Sequence, residues 1–222
     1  MGLGSALVGA AVSKAAESIG KSYDLKSALK GKTPEQQSIV KYFLQPEGCM
    51  KKNISDTEYE QLVNTKYSSL NLKQKALDKT GVDESQVNEI PPVEFRGWNY
   101  NKNAYVKAGK DNRLRTTSIQ STWLLFSDKQ IYIYQYTFDM LDEKKKERTE
   151  EYFYKDVTNF SSSSQTDTEE VIEKGQPVKK EIDHDVFSIV VPGDKFTCDL
   201  SDVDEAADRI QAMKAKLREK KS

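Results

Sequence analysis

The chain has 222 residues, enough for one large domain or two small ones. Hydrophobic residues make up 36% and charged residues 31%, which is lean for a globular domain, so part of the length belongs to loops, linkers or a solvated tail. A net charge of −1 argues against a dedicated nucleic-acid binder, and two cysteines are too few for a disulfide framework or a four-ligand zinc site.

Met1–Ile19 is rich in small apolar residues, yet no run approaches the ~18–20 apolar residues that span a bilayer. Its first lysine, Lys14, follows the apolar stretch instead of preceding it as in a secretory signal. Ala6 stands where a myristoylation signal wants Ser or Thr. Leu3, Leu7, Val8, Ala11, Val12, Ala15 and Ile19 share one side of a helical projection, predicting an amphipathic helix and then a linker over 21–32. Thr33-Pro34-Glu35-Gln36 reads as a helix start, and Pro46 as its end. Ser55 with Glu58 makes a second capping box, and Ile54 with Tyr59 a hydrophobic staple. Leu72–Thr80 continues helical to Gly81, and one more short helix is expected over 83–90. The character changes at Pro91-Pro92.

Strands are expected from there on. Val93–Tyr100 carries Gly97 in mid-run, where a bulge is expected, and Ala104–Ala108 follows. Ser121–Phe126 and Gln130–Phe138 flank a tight Ser127-Asp128-Lys129 connection. Tyr132, Tyr134, Tyr136 and Phe138 fall on one face of the second run, Ile131 and Ile133 on the other, which predicts a central strand covered on both sides. The run Lys144-Lys145-Lys146 with Arg148 lies among carboxylates and reads as a solvated hairpin tip. Thr149–Tyr154 and Thr158–Ser163 are the next strands. Gln165–Asp185 is polar, carries Gly175 and Pro177, and reads as a long excursion with at most a weak strand. Val186–Val191 and Lys195–Leu200 form a hairpin around Pro192-Gly193-Asp194. Cys198 shares a face with Phe196 and Leu200 and is expected to be a small buried hydrophobe; Cys49 falls in a loop, and both suit a reducing cytoplasm. A final amphipathic helix over 202–220 buries Val203, Ala206, Ala207, Ile210, Met213 and Leu217, with acids at its start and bases at its end.

Trp123-Leu124-Leu125-Phe126-Ser127-Asp128-Lys129-Gln130-Ile131-Tyr132 and Tyr154-Lys155-Asp156-Val157-Thr158-Asn159-Phe160, followed by the hairpin and terminal helix, resemble a bacterial pleckstrin-homology-like (GRAM-like) domain. The resemblance covers the C-terminal half. It departs from the family at Ser127 and Gln130, where Thr and Arg are commoner, and in the insertion over 165–185. It implies that residues 93–222 form an antiparallel β-sandwich or barrel plugged by the terminal helix; with the amphipathic helix and linker (1–32) and the helical region (33–92) read from the residues, an α+β chain is expected. Such domains bind phosphoinositides, membranes or peptides.

The candidate anion site is the basic loop over 101–115, with Lys107, Lys110, Arg113 and Arg115 opposed only by Asp111; Lys107 with Arg113-Leu114-Arg115 resembles the family's phosphoinositide loop, departing from it at Thr116 and Thr117, where apolar residues are expected. For an enzyme, the single histidine, His184, lies in a polar stretch and is expected to be solvated. No nucleophile elbow, phosphate loop or metal-ligand spacing occurs, and no cofactor is implied. The sequence therefore predicts a cytoplasmic, non-enzymatic adaptor that docks a protein or peptide, with self-association through the N-terminal helices. A peripheral protein reading anionic lipid through the basic loop or the N-terminal helix is the alternative.

Overall fold

Residues 24–46, 53–87, 90–100, 103–200, 211, 214, 215 and 218–220 are described by the computed structural model. Helices begin where the sequence supplies a cap. The short α1 (Leu25–Leu29) is started by Asp24, whose carboxylate accepts from the N–H groups of Lys26 and Ser27. It falls where a linker is expected, because a five-residue helix is too short to announce itself by periodicity. In α2 (Pro34–Leu44) and α3 (Asp56–Ser69) both expected capping boxes close, Thr33 with Gln36 and Ser55 with Glu58. The fourth helix, α4 (Leu72–Thr80), stops at Gly81 with φ of +67°, a left-handed conformation that costs glycine little. Instead of a helix over 83–90 there is a 3-10 turn at Glu84–Val87, and the chain is already a strand at Ile90. Proline disfavours helix in the residue before it, so Pro91 ends the helical stretch early.

The strands form two sheets. β1 (Ile90–Trp98), β4 (Ser118–Phe126), β5 (Gln130–Asp139) and β6 (Lys145–Phe153) pair antiparallel in that order. β2 (Val106–Ala108), β3 (Leu114–Thr116), β7 (Asn159–Glu173), β8 (Gln176–Val191) and β9 (Asp194–Asp199) form the second sheet in the order β3-β2-β7-β8-β9. Only the short contact of β2 with β7 is parallel. Ser127 closes the β4–β5 hairpin: its N–H donates to the Gln130 carbonyl at 3.0 Å and its Oγ accepts from the N–H of Gln130. The bulge expected at Gly97 is absent, and register runs unbroken from Val93 to Trp98. The shift lies between Ile90 and Val93, where two prolines have no N–H to give the ladder. Lys145 and Lys146 belong to β6, not to a hairpin tip.

The largest departure from the sequence reading is the stretch over 165–185. It is no excursion: β7 and β8 pair in continuous register from Asn159 with Val190 to Glu173 with Gln176. The turn is Lys174-Gly175, at φ of +51° and +80°. Two successive left-handed residues give a two-residue turn whose twist matches the strands it joins. A Cβ on Gly175 would lie 2.8 Å from the Leu44 carbonyl, so the ribbon's tip abuts the end of α2 and only glycine fits.

The alternation in β5 decides the layers. Tyr134, Tyr136 and Phe138, with Ile119 and Leu125 of β4, pack against Ile39, Phe43, Tyr59 and Ala76 of the helices. On the opposite face Ile131, Ile133, Leu124 and Phe126 pack against Phe187 and Ile189 of β8 and Phe196 and Cys198 of β9. Helices, four-stranded sheet and second sheet thus stack as three layers, and the central strands are covered on both sides as expected. Cys198 is 3% exposed and burial holds its thiol well above the ordinary range, so it serves as a small hydrophobe. The terminal helix is helical at its described positions. Its expected stripe and plug, Cys49 and the N-terminal helix lie outside the described residues. Among those residues no helix is long and apolar enough to cross a membrane.

Tyr59 ties the helical layer to the second sheet. Its ring is fully buried and stacked on Tyr42 at 4.9 Å, and its hydroxyl donates to the Thr116 carbonyl at 2.5 Å. Tyr59→Phe leaves that buried carbonyl without its donor, and is expected to cost about 1–3 kcal/mol. Urea unfolding should give a lower midpoint at unchanged slope.

Candidate functional site

The basic loop is the hairpin β2–β3, and its cations separate. Arg115 is 2% exposed and turned inward. Its Nη1 and Nη2 each donate at 2.8 Å to one oxygen of Asp111, while Nε donates to Glu60 Oε1 at 2.9 Å and Nη2 contacts that same oxygen. Lys107 donates from Nζ to the Tyr42 carbonyl at 3.1 Å and lies 4.8 Å from that ring's centre. Lys110 and Arg113 remain exposed. The four cations therefore do not converge as the loop pattern implies. Asp111 opposes Arg115 through a two-pronged pair, and Glu60, distant in sequence, supplies the second carboxylate.

The same network fastens the hairpin to the start of α3. Asp56 accepts from the Tyr42 hydroxyl at 2.7 Å and from the Lys110 N–H at 2.8 Å. Hydrogen bonds from Arg115 hold the Asp111 carboxyl well below the usual carboxylate range, and those carboxylates raise the guanidinium in turn. Burial, then the bond to Asp56, pushes the Tyr42 hydroxyl far up. Gly109 sits against this cluster. A Cβ there would strike Arg115 Nη1 and lie 2.6 Å from Asp56 Oδ2 and 2.8 Å from Asp111 Oδ1.

Beside the hairpin, a cavity of about 230 Å³ opens between α3 and β1. Glu60, Val63 and Asn64 line it from α3, Arg96, Gly97 and Trp98 from β1, and Arg113 and Ile119 complete it. The Arg96 guanidinium lies over the Tyr67 ring, 4.8 Å from its centre, and Tyr67 donates its hydroxyl to Glu94, which also accepts from Ser121 Oγ at 2.9 Å. Burial, then the bond to Glu94, holds the Tyr67 hydroxyl above its ordinary range. Arg96 was missed by the sequence reading because it belongs to a different strand from the basic loop. The available signal was the alternation Glu94, Arg96, Trp98, which sets all three on one face of β1.

The third feature is the β7–β8 ribbon. Its base packs through Phe187 and Ile189, and its tip through Val171, Ile172 and Ile182. Between these anchors residues 162–168 are exposed. His184 lies on this ribbon, not in a loop; its side chain is 12% exposed, with Nε2 3.2 Å from Asp167 Oδ2 and Nδ1 buried without a partner. Burial and then Asp167 raise the neighbouring Glu169. Among the described residues no cluster of His, Cys, Asp or Glu is arranged to hold a metal ion.

Comparison with protein-family models, with curated proteins and with solved structures returns no match.

Two substitutions test the hairpin clamp. Gly109→Ala must displace Arg115 or the backbone, and is expected to cost about 1–3 kcal/mol in thermal or urea unfolding. Asp111 has a folded-state pKa below its unfolded value, so its contribution is present at neutral pH and lost as the solution is acidified below about pH 4. Thermal melting of the native chain against Asp111→Asn should show a stability gap that is flat at neutral pH and closes in acid.

Proposed function

We propose that the chain is a non-enzymatic docking module of pleckstrin-homology-like build, which adds an extended peptide of a protein partner to the open edge of β7. The observation that carries this reading is the contrast among strand edges. An unpaired edge is a template for another strand, and proteins guard such edges with charge, proline or brevity. β6 is guarded by Lys145, Lys146, Glu147, Arg148, Glu150 and Glu151. β1 carries Pro91 and Pro92, and β3 has three residues. β8 beyond its pairing with β9 carries Pro177 and several charges.

The centre of β7 has none of these guards in its own sequence; among the described residues the terminal helix reaches it through Lys214, whose Nζ donates to Ser162 Oγ at 3.2 Å. Ser162-Ser163-Ser164-Gln165-Thr166-Asp167-Thr168 contains a single charge and no proline. Its described neighbour on that side, β2, reaches it only at Ile172. The two-residue turn makes Glu173–Gln176 the hydrogen-bonded pair, so the alternation of the ladder sends the backbone groups of Ser164, Thr166 and Thr168 away from β8. Strand addition would use those groups for affinity. The ribbon over 161–185 bears seven carboxylates against three lysines, which favours a basic segment. The lipid-binding alternative is weakened because Arg115 and Lys107 are engaged within the protein, leaving Lys110 and Arg113.

Thr168→Pro tests the reading. It removes an outward N–H while leaving the β8 ladder intact. Fluorescence anisotropy with labelled decapeptides alternating lysine and valine should give saturable binding, weakened about tenfold or more in the variant at an unchanged melting temperature. Equal affinity for the variant, or for a peptide interrupted by proline, would discard strand addition. Cosedimentation with anionic vesicles that is lost in Lys110→Ala/Arg113→Ala would favour the lipid reading instead.

A further inference from the structure

The cavity between α3 and β1 is independent of the β7 edge, and its lining has a definite chemical character. From the juxtaposition of Arg96 and Arg113 in one small cavity, we infer that it is a binding site for a small organic carboxylate. Among the described residues neither guanidinium is paired with a carboxylate. The Arg96 guanidinium lies over the Tyr67 ring, and that ring is fixed in turn by its bond to Glu94, so the cation rests on an aromatic face and not on a carboxylate. Arg113 reaches the same cavity from the hairpin. A guanidinium presents paired donors that match the two oxygens of a carboxylate.

Charge and size narrow the ligand. Glu60 also lines the cavity, but its carboxylate is bonded by Arg115. Among the residues that line the cavity, Arg96 and Arg113 stand against Glu60, which leaves one positive charge and suits a monoanion better than a phosphate dianion. The volume of about 230 Å³ lies below the ~300–1,000 Å³ typical of sites for drug-sized ligands, so a nucleotide is too large. Most of the lining surface is polar, and Val63, Ile119 and Trp98 supply a smaller apolar part against which a short hydrocarbon or aromatic body can lie. A carboxylate of this kind could come free in solution or as the C-terminus of a peptide, and the same two arginines would read either.

Trp98 is a built-in reporter, and Trp123→Phe makes it the sole tryptophan. Its fluorescence should respond saturably to butyrate or benzoate in this background, and not to butyramide or benzamide. A tripeptide with a free C-terminus, compared with its amidated form, separates the two sources, and a response to either carboxylate supports the site. Arg113→Gln and Arg96→Gln should each weaken binding about tenfold or more, with circular dichroism confirming the fold. Arg113 is exposed, so its variant tests the site even if Arg96→Gln unfolds. Thr168→Pro should leave carboxylate affinity unchanged, so failure of the β7 reading does not affect this one. Amides binding as well as acids, inorganic phosphate alone producing the response, or undiminished affinity in Arg113→Gln would overturn the inference.

Discussion

Burial of both faces of β4 and β5 is the constraint on which the rest of the molecule depends. A strand pair with tyrosines and phenylalanine on one side and isoleucines on the other cannot leave either side to water. The isoleucine side is covered by β8 and β9, and the tyrosine side by α2, α3 and α4. The helical segment is therefore the second cover of the sheet. Once α3 lies across β1 and β4, Glu60 is brought beside Arg115 and Asn64 beside Arg96, and both the clamp and the cavity follow from that placement.

Much of this was legible in residues whose local chemistry has one solution. Thr33 with Gln36, Ser55 with Glu58, Gly81 and Ser127 each announce a boundary, because the hydrogen bonds they satisfy are made within a few residues. The alternation in Gln130–Asp139 likewise announced its double cover. The β7–β8 ribbon was not legible, since the middle of β7 is polar on both faces and periodicity reads only strands with a buried side. What makes it a hairpin lies elsewhere, in apolar anchors at either end and in the conformation of Lys174-Gly175. Gly97 misled for the opposite reason: an interior glycine suggests a bulge, but the register is broken by the prolines upstream.

The candidate site was legible only in part. A run of cations in sequence gives no information on which of them face inward, and Arg115 turned inward because α3 supplies Glu60 from a distant part of the chain. Three-residue strands place Lys107 and Arg115 opposite each other in the hairpin, with the helices on one side of it. Lys110 and Arg113, in the turn between them, stay outside. Arg96 could join Arg113 only after the sheet order was fixed, and no spacing rule links a residue of β1 to the turn of another sheet's hairpin.

The two anchors of the ribbon have a thermodynamic consequence. A strand of fifteen residues, paired at one end with the anchored Phe187 and Ile189 of β8 and packed at the other through its own Val171 and Ile172, has already surrendered its backbone freedom. Fixing a residue's backbone costs about 1–2 kcal/mol, and on the protein's side that cost is met during folding. An incoming chain would bear only its own ordering entropy, which is why a polar, serine-rich edge with little apolar surface can still act as a rigid template.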